Sequence, residues 1–203
     1  MLEDAEIKTT VSPFAIREGE VKVFDGKDGY VSMNQINHKV NLGHITEIHF
    51  KILELVNKFE FVTSRQLYQL LQATNEDIKS QDKLNNKLEQ MIKSKMLTRY
   101  FFSTEEGKGI FRVYCLEKMG KYLLNSREIE SRWQPSDNTK PVPMIKKRLA
   151  GNQVIIAYLR KVKAFMAYTV KPEINARVAG VKFKATGCAV KVRKNWKRCR
   201  FSI

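Results

Sequence analysis

Between residues 45 and 124 apolar positions recur first at helical and then at strand spacing. Ile45, Ile48, Ile52, Leu55, Val56 and Phe59 step by three and four, which predicts an amphipathic helix over about residues 45–59. Phe61-Val62-Thr63-Ser64 interrupts the pattern. Thr63 or Ser64 can cap a second helix by accepting its first free N–H groups. That helix is short, about residues 65–71, with Leu67, Leu70 and Leu71 facing inward. Thr74 and Asp77 then have capping-box spacing, so a third helix starts there or, after a turn, at Ser80. In SQDKLNNKLEQMIKSK, residues 80–95, Leu84, Leu88, Met91 and Ile92 make one stripe.

The period then shortens to two. Residues 96–102 are rich in strand formers, and residues 105–109 supply a Gly-containing turn. Residues 110–116 return, with Phe111, Val113 and Cys115 on one face and Arg112 and Tyr114 on the other. A closing helix begins at residue 117. Helix, short helix, helix, strand, turn, strand is the order of a winged helix-turn-helix.

The flanks are less regular. Residues 1–18 show no period and suggest a strap-like arm. GEVKVF and GYVSM lie on either side of Asp25-Gly26-Lys27-Asp28-Gly29, which predicts a small hairpin because Gly and Asp accept positive φ. Residues 34–44 look like a connector. Pro135, Pro141 and Pro143 mark residues 126–144 as a linker or an irregular strap, in which Trp133 packs against a neighbour. Residues 145–166 read as a helix with Leu149, Ile155 or Ile156, Leu159, Val162 and Met166 on one stripe. Gly151 weakens that helix by roughly 1 kcal/mol relative to Ala. Strand-like pieces follow at 178–183 and 188–192. The chain therefore divides into an N-terminal arm and hairpin (1–44), a winged helix-turn-helix (45–128), a linker (129–144) and a basic helix with a strand-like tail (145–203). The fold class expected is α+β: a winged helix-turn-helix domain with a small basic C-terminal α/β extension.

Charge sharpens this picture. The chain carries 37 Lys and Arg against 21 acids, a formal +16, which suits a polyanionic partner. Residues 141–203 hold 16 of those cations and one acid, Glu173, leaving the first 140 residues near neutral. Three cysteines, Cys115, Cys188 and Cys199, form no close pair, and the N-terminus has no apolar signal core. Both point to a reducing, cytoplasmic location. No apolar run is long enough to span a membrane.

The polar face of the third helix is where chemistry gathers. At about 100° per residue, Lys79, Lys83, Asn86, Gln90 and Lys93 lie opposite the apolar stripe. Cations bind phosphates, and Asn or Gln can pair with a base edge through two hydrogen bonds. Asn86 and Gln90 are therefore candidate base readers, with Lys79, Lys83, Lys87 and Lys93 as phosphate contacts. Only the N-terminal part of a recognition helix goes deep into the groove, which adds Ser80 and Gln81. The wing tip carries Glu105 and Glu106 beside Lys108, so Lys108 is a weaker candidate for a phosphate contact. In the tail, Lys191, Arg193, Lys194, Lys197, Arg198 and Arg200 need solvent or an external polyanion, since isolated buried ions are very costly. Trp196 and Phe201 beside them also suit a membrane surface or RNA. His38, His44 and His49 lie close in sequence but lack ligand spacing, so no metal and no cofactor is expected.

The runs VTSRQLYQLL, KLEQMIKSKMLTRY and VYCLEKMGKYLL resemble the N-terminal half of bacterial replication-relaxation proteins, winged-helix proteins of plasmids and mobile elements. The resemblance covers about residues 45–125. It implies double-stranded DNA binding with residues 80–95 in the major groove. In that family a nuclease-type α/β domain follows. Here Glu173 could match its first acid, but no acid follows Glu173. Metal-dependent phosphodiester cleavage needs at least a pair of carboxylates, so no catalysis and no small-molecule substrate is expected. The alternative to a DNA-binding protein is a winged-helix adaptor for protein contacts. The apolar stripe of the 145–166 helix predicts that it packs on the winged helix or pairs two copies in a homodimer.

Overall fold

The computed structural model describes residues 12–74, 78–104 and 107–161, and the backbone of four short strands between 165 and 191. The described chain is mixed α+β. It runs β1 (Val21–Phe24), α1 (Met33–Asn41), α2 (Glu47–Phe59), β2 (Val62–Thr63), α3 (Ser64–Ala73), α4 (Gln81–Lys93), β3 (Leu97–Thr104), β4 (Gly107–Leu116), α5 (Lys118–Asn125) and α6 (Val142–Lys161). Beyond these lie β5 (Phe165–Thr169), β6 (Glu173–Asn175), β7 (Lys182–Lys184) and β8 (Cys188–Lys191), in which β5 pairs with β8 and β6 with β7.

The expected strand pair is present. β3 and β4 form an antiparallel hairpin in which Leu97 faces Leu116 and Thr104 faces Gly107. It sits within a four-stranded antiparallel sheet of order β1-β3-β4-β2. Of the four helices that precede it, α2, α3 and α4 are those the periodicity predicted, and the last two have a plain chemical start. Thr63 accepts the Gln66 amide while the Gln66 side chain returns to the Thr63 amide at 3.1 Å, a complete capping box for α3. Ser80 Oγ accepts the Lys83 amide and starts α4. Of the two starts open for that helix, Ser80 is the one adopted; Thr74 instead ends α3, and Asp77 lies outside the described residues. Lys95, with φ +54°, turns the chain from α4 into β3.

The sheet is covered on both faces, by two separate apolar clusters. Leu97, Tyr114 and Leu116 join Ile52, Leu55, Phe59, Leu67, Leu70, Leu84 and Leu88 in the main cluster, with Ile48 packed at its border. Val113 points the other way. With Phe61, Phe102 and Cys115 it meets Val142, Ile145 and Leu149 of α6, and Phe14 of the N-terminal arm. The period-two alternation of β4 is what sends Val113 and Tyr114 to opposite layers. Against the main cluster, α5 seats Gly120 so closely that a β-carbon there would collide with the Met96 carbonyl.

Two expectations outside this region are corrected. No hairpin forms around residues 25–29; β1 pairs with β3, Val21 opposite Ser103 and Phe24 opposite Tyr100. The 34–44 stretch is not a connector but helix α1, started by a capping box between Ser32 and Gln35 and anchored by the fully buried Ile36. Residues 129–144 form the strap that the prolines allowed as an alternative to a linker. It contains a short 3-10 turn at Pro135–Thr139, and α6 begins within it at Val142. Trp133 Nε1 donates to Asn138 Oδ1, and Asn138 Nδ2 donates to the Leu116 carbonyl, each at 3.1 Å.

α6 packs on the preceding layer, the first of the two arrangements its stripe allowed. Gln66 Nε2 donates to the Leu149 carbonyl at 2.8 Å. Lys146, almost fully buried, pairs with Glu20 and donates to the Ala15 carbonyl, each at 2.5 Å, tying the N-terminal arm to α6. The helix ends at Lys161, so Met166 lies in β5 and not on its stripe.

Candidate nucleic-acid interface

α4 is two-sided. Leu84, Leu88, Met91 and Ile92 are at most 1% exposed, while Lys79 before the helix and Asp82, Lys83, Asn86, Gln90 and Lys93 on it face solvent. Burial of those four apolar side chains, about 1.5–3 kcal/mol each, fixes the rotation of the helix and so fixes which side chains stay outside. The amides and cations singled out from sequence are therefore brought together on one surface.

Not all of them are equally free. Ser80 caps the helix. Gln81 Nε2 donates to the Ser64 carbonyl and to Asn85 Oδ1, each at 3.2 Å. Gln81 thus serves as a brace between the starts of α3 and α4. Lys87 is half-buried and Gln90 is exposed; the Gln90 side chain engages His49 of α2, and the Lys87 charge acts on it. His49 is 2% exposed; its Nδ1 accepts the Thr46 amide at 3.0 Å, and its ring also engages the Gln90 side chain. Burial, reinforced by the nearby Lys87 ammonium, pushes the imidazole down to about 4, so it is neutral near pH 7. Lys83 and Asn86 remain exposed.

Two acids also lie on α4. Glu89 is engaged by Arg99 of β3, whose guanidinium is nearly buried and also contacts Asp25 at 2.9 Å. Its charge is thereby offset. Asp82 stays exposed in the first turn, where it favours the helix dipole.

Sequence reasoning missed Arg65. It is exposed in the first turn of α3, next to Ser64, whose carbonyl receives the Gln81 bond. The capping run Thr63-Ser64-Arg65-Gln66 was the available signal, since it places residue 65 at a helix start. Lys108 is placed by its backbone opposite Ser103, near the end of the hairpin, and its side chain lies outside the described residues. Lys191 ends β8; Arg193, Lys194, Lys197, Arg198 and Arg200 also lie outside the described residues.

Among the described residues no group of three or more His, Cys, Asp or Glu is placed to hold a metal ion, and no helix is long and apolar enough to cross a membrane. Comparison with protein-family models, curated proteins and solved structures finds no match.

Proposed function

We propose that this chain is a double-stranded DNA-binding protein that acts, in the cytoplasm, in replication, transfer or transcription control of a plasmid or mobile element. Residues 45–125 serve as a winged helix-turn-helix: α3 and α4 are the turn motif and the β3–β4 hairpin is the wing. α4 enters the major groove. Asn86 reads a base edge, Lys83 and Lys93 meet phosphates, and Arg65 holds the backbone beside the start of α3. The observation that carries this reading is the sidedness of α4, whose apolar face is sealed into the core while its cations and amides stand together in solvent. The basic C-terminal segment adds charge-driven affinity. A homodimer with two α4 helices roughly 34 Å apart would read an inverted repeat.

Footprinting on the DNA that flanks its own gene, at two salt concentrations, tests the proposal. A protected site that persists at the higher salt supports sequence-specific binding. Retention that vanishes with salt and shows no preferred site reduces the role to charge-driven binding. No salt-dependent retention at all overturns the proposal in favour of a protein adaptor.

A further inference from the structure

We propose that the end of α1 and the turn into α2, residues 37–46, form a second DNA-backbone contact that flanks the groove occupied by α4. This rests on the DNA-binding reading above and extends it to a segment that the sequence pattern marked only as a connector.

Position is the first argument. Lys39 Nζ donates to Ser94 Oγ, the cap residue at the end of α4, at 2.8 Å. From the other side His49, in the first turn of α2, accepts the Thr46 amide at 3.0 Å and engages the Gln90 side chain on α4. Gly43 adopts φ +71°, which only glycine takes without strain, and it folds the segment between these two anchors. Residues 37–46 are thereby held beside α4, with Ser94 and His49 buried at the join.

The second argument is donor chemistry. Residues 30–46 contain no acid. Asn37, His38, Asn41, His44 and Thr46 are exposed, and Lys39 is half-exposed with ammonium protons beyond the one given to Ser94. Amide, imidazole, hydroxyl and ammonium groups all donate to phosphate oxygens, and such contacts hold a protein in register on the duplex. Ile36, Ile45 and Phe50 are buried on the inner side, so the outward set is held rigidly. The next acid along the chain, Glu47, is bound by both terminal nitrogens of Arg127 at 2.6 Å, and its charge is offset there.

The ligand implied is the sugar-phosphate backbone of duplex DNA, contacted without regard to sequence. The experiment uses the full chain and a duplex containing its footprinted site, with three variants: Asn41→Lys, the triple variant His38→Glu, Asn41→Glu, His44→Glu, and Lys83→Glu on α4. The triple variant should weaken binding about tenfold or more, lower the log K against log salt slope by one to two units at about 0.9 per phosphate, and shorten the hydroxyl-radical footprint at one end. Asn41→Lys, which needs a folded protein to act, should tighten binding and lengthen that protection. The preferred sequence should not change in either. Parent-like affinity and footprint length in both α1 variants would overturn the inference while leaving the role of α4 intact. Loss of binding in the α1 variants with none in Lys83→Glu would instead remove α4 from the interface and keep this contact.

Discussion

The Nδ2 of Asn152 lies 2.8 Å from the Phe61 carbonyl and 3.1 Å from the Phe59 carbonyl, at a position with no solvent exposure. One amide of α6 thus satisfies the backbone where α2 hands over to β2. It is the polar pin through which the C-terminal helix holds the layer that supports α3 and α4. A buried carbonyl left without a donor loses its hydration and gains nothing.

Asn152→Ala should therefore lower unfolding stability by about 1–3 kcal/mol. Urea titration followed by circular dichroism measures it. Since α6 packs on α3, the slope of the transition should stay that of one cooperative unit. A variant as stable as the parent would show that water replaces the amide.

Asn86→Ala should leave the fold untouched, because the side chain is exposed on a helix whose buried face is unchanged. Its effect belongs to readout, with a loss of about 1–3 kcal/mol of discrimination at one base pair. Selection of binding sites from a randomised duplex reads this directly. An identical selected site in parent and variant would assign the base contact elsewhere on α4.

The elements that carry this site were legible because their apolar stripes are long and unbroken. Leu84, Leu88, Met91 and Ile92 predicted both the helix and its buried face, and the alternation through Phe111, Val113 and Cys115 predicted the returning strand. α1 was hidden because only Ile36 is buried over nine residues, too few to reveal a period. Its capping box, Ser32 with Gln35, was a local signal present at its start. The second layer was hidden for a different reason. Its helix presents Lys146 and Asn152 inward, and each donates to groups distant in sequence, Glu20 and Ala15 for the lysine and two carbonyls for the asparagine. Polar residues that find such partners break a stripe without breaking the packing. Gln81 was legible as a polar helix-start residue, but not as a brace, because the Ser64 carbonyl it meets belongs to another helix.

The basic tail adds a prediction that does not depend on its conformation. Residues 191–200 contain six cations in ten positions. If they meet the DNA backbone, deleting residues 191–203 should flatten the log K against log salt slope by several units, at about 0.9 per phosphate released. The preferred sequence should be retained, since phosphate contacts carry no base information. An unchanged slope from a folded truncation would show that the tail stays off the DNA.

His49 links stability to pH. Its imidazole titrates near 6.5 in an unfolded chain and is pushed down to about 4 in the folded one, by burial first and by Lys87 second. Below the unfolded value the unfolded chain binds the extra proton and the folded chain does not, so the proton favours unfolding. Stability from this residue is complete above about pH 6.5, declines as pH falls, and the loss levels off below about pH 4, at about 3 kcal/mol at most. Protonation would also cost the bond from the Thr46 amide, because a protonated ring nitrogen has no acceptor to offer there. His49→Asn retains an acceptor at the third helical position and cannot titrate. Its denaturation midpoint should fall less steeply than the parent's between pH 6.5 and 4. Parallel pH profiles for the two proteins would place the acid sensitivity in other groups.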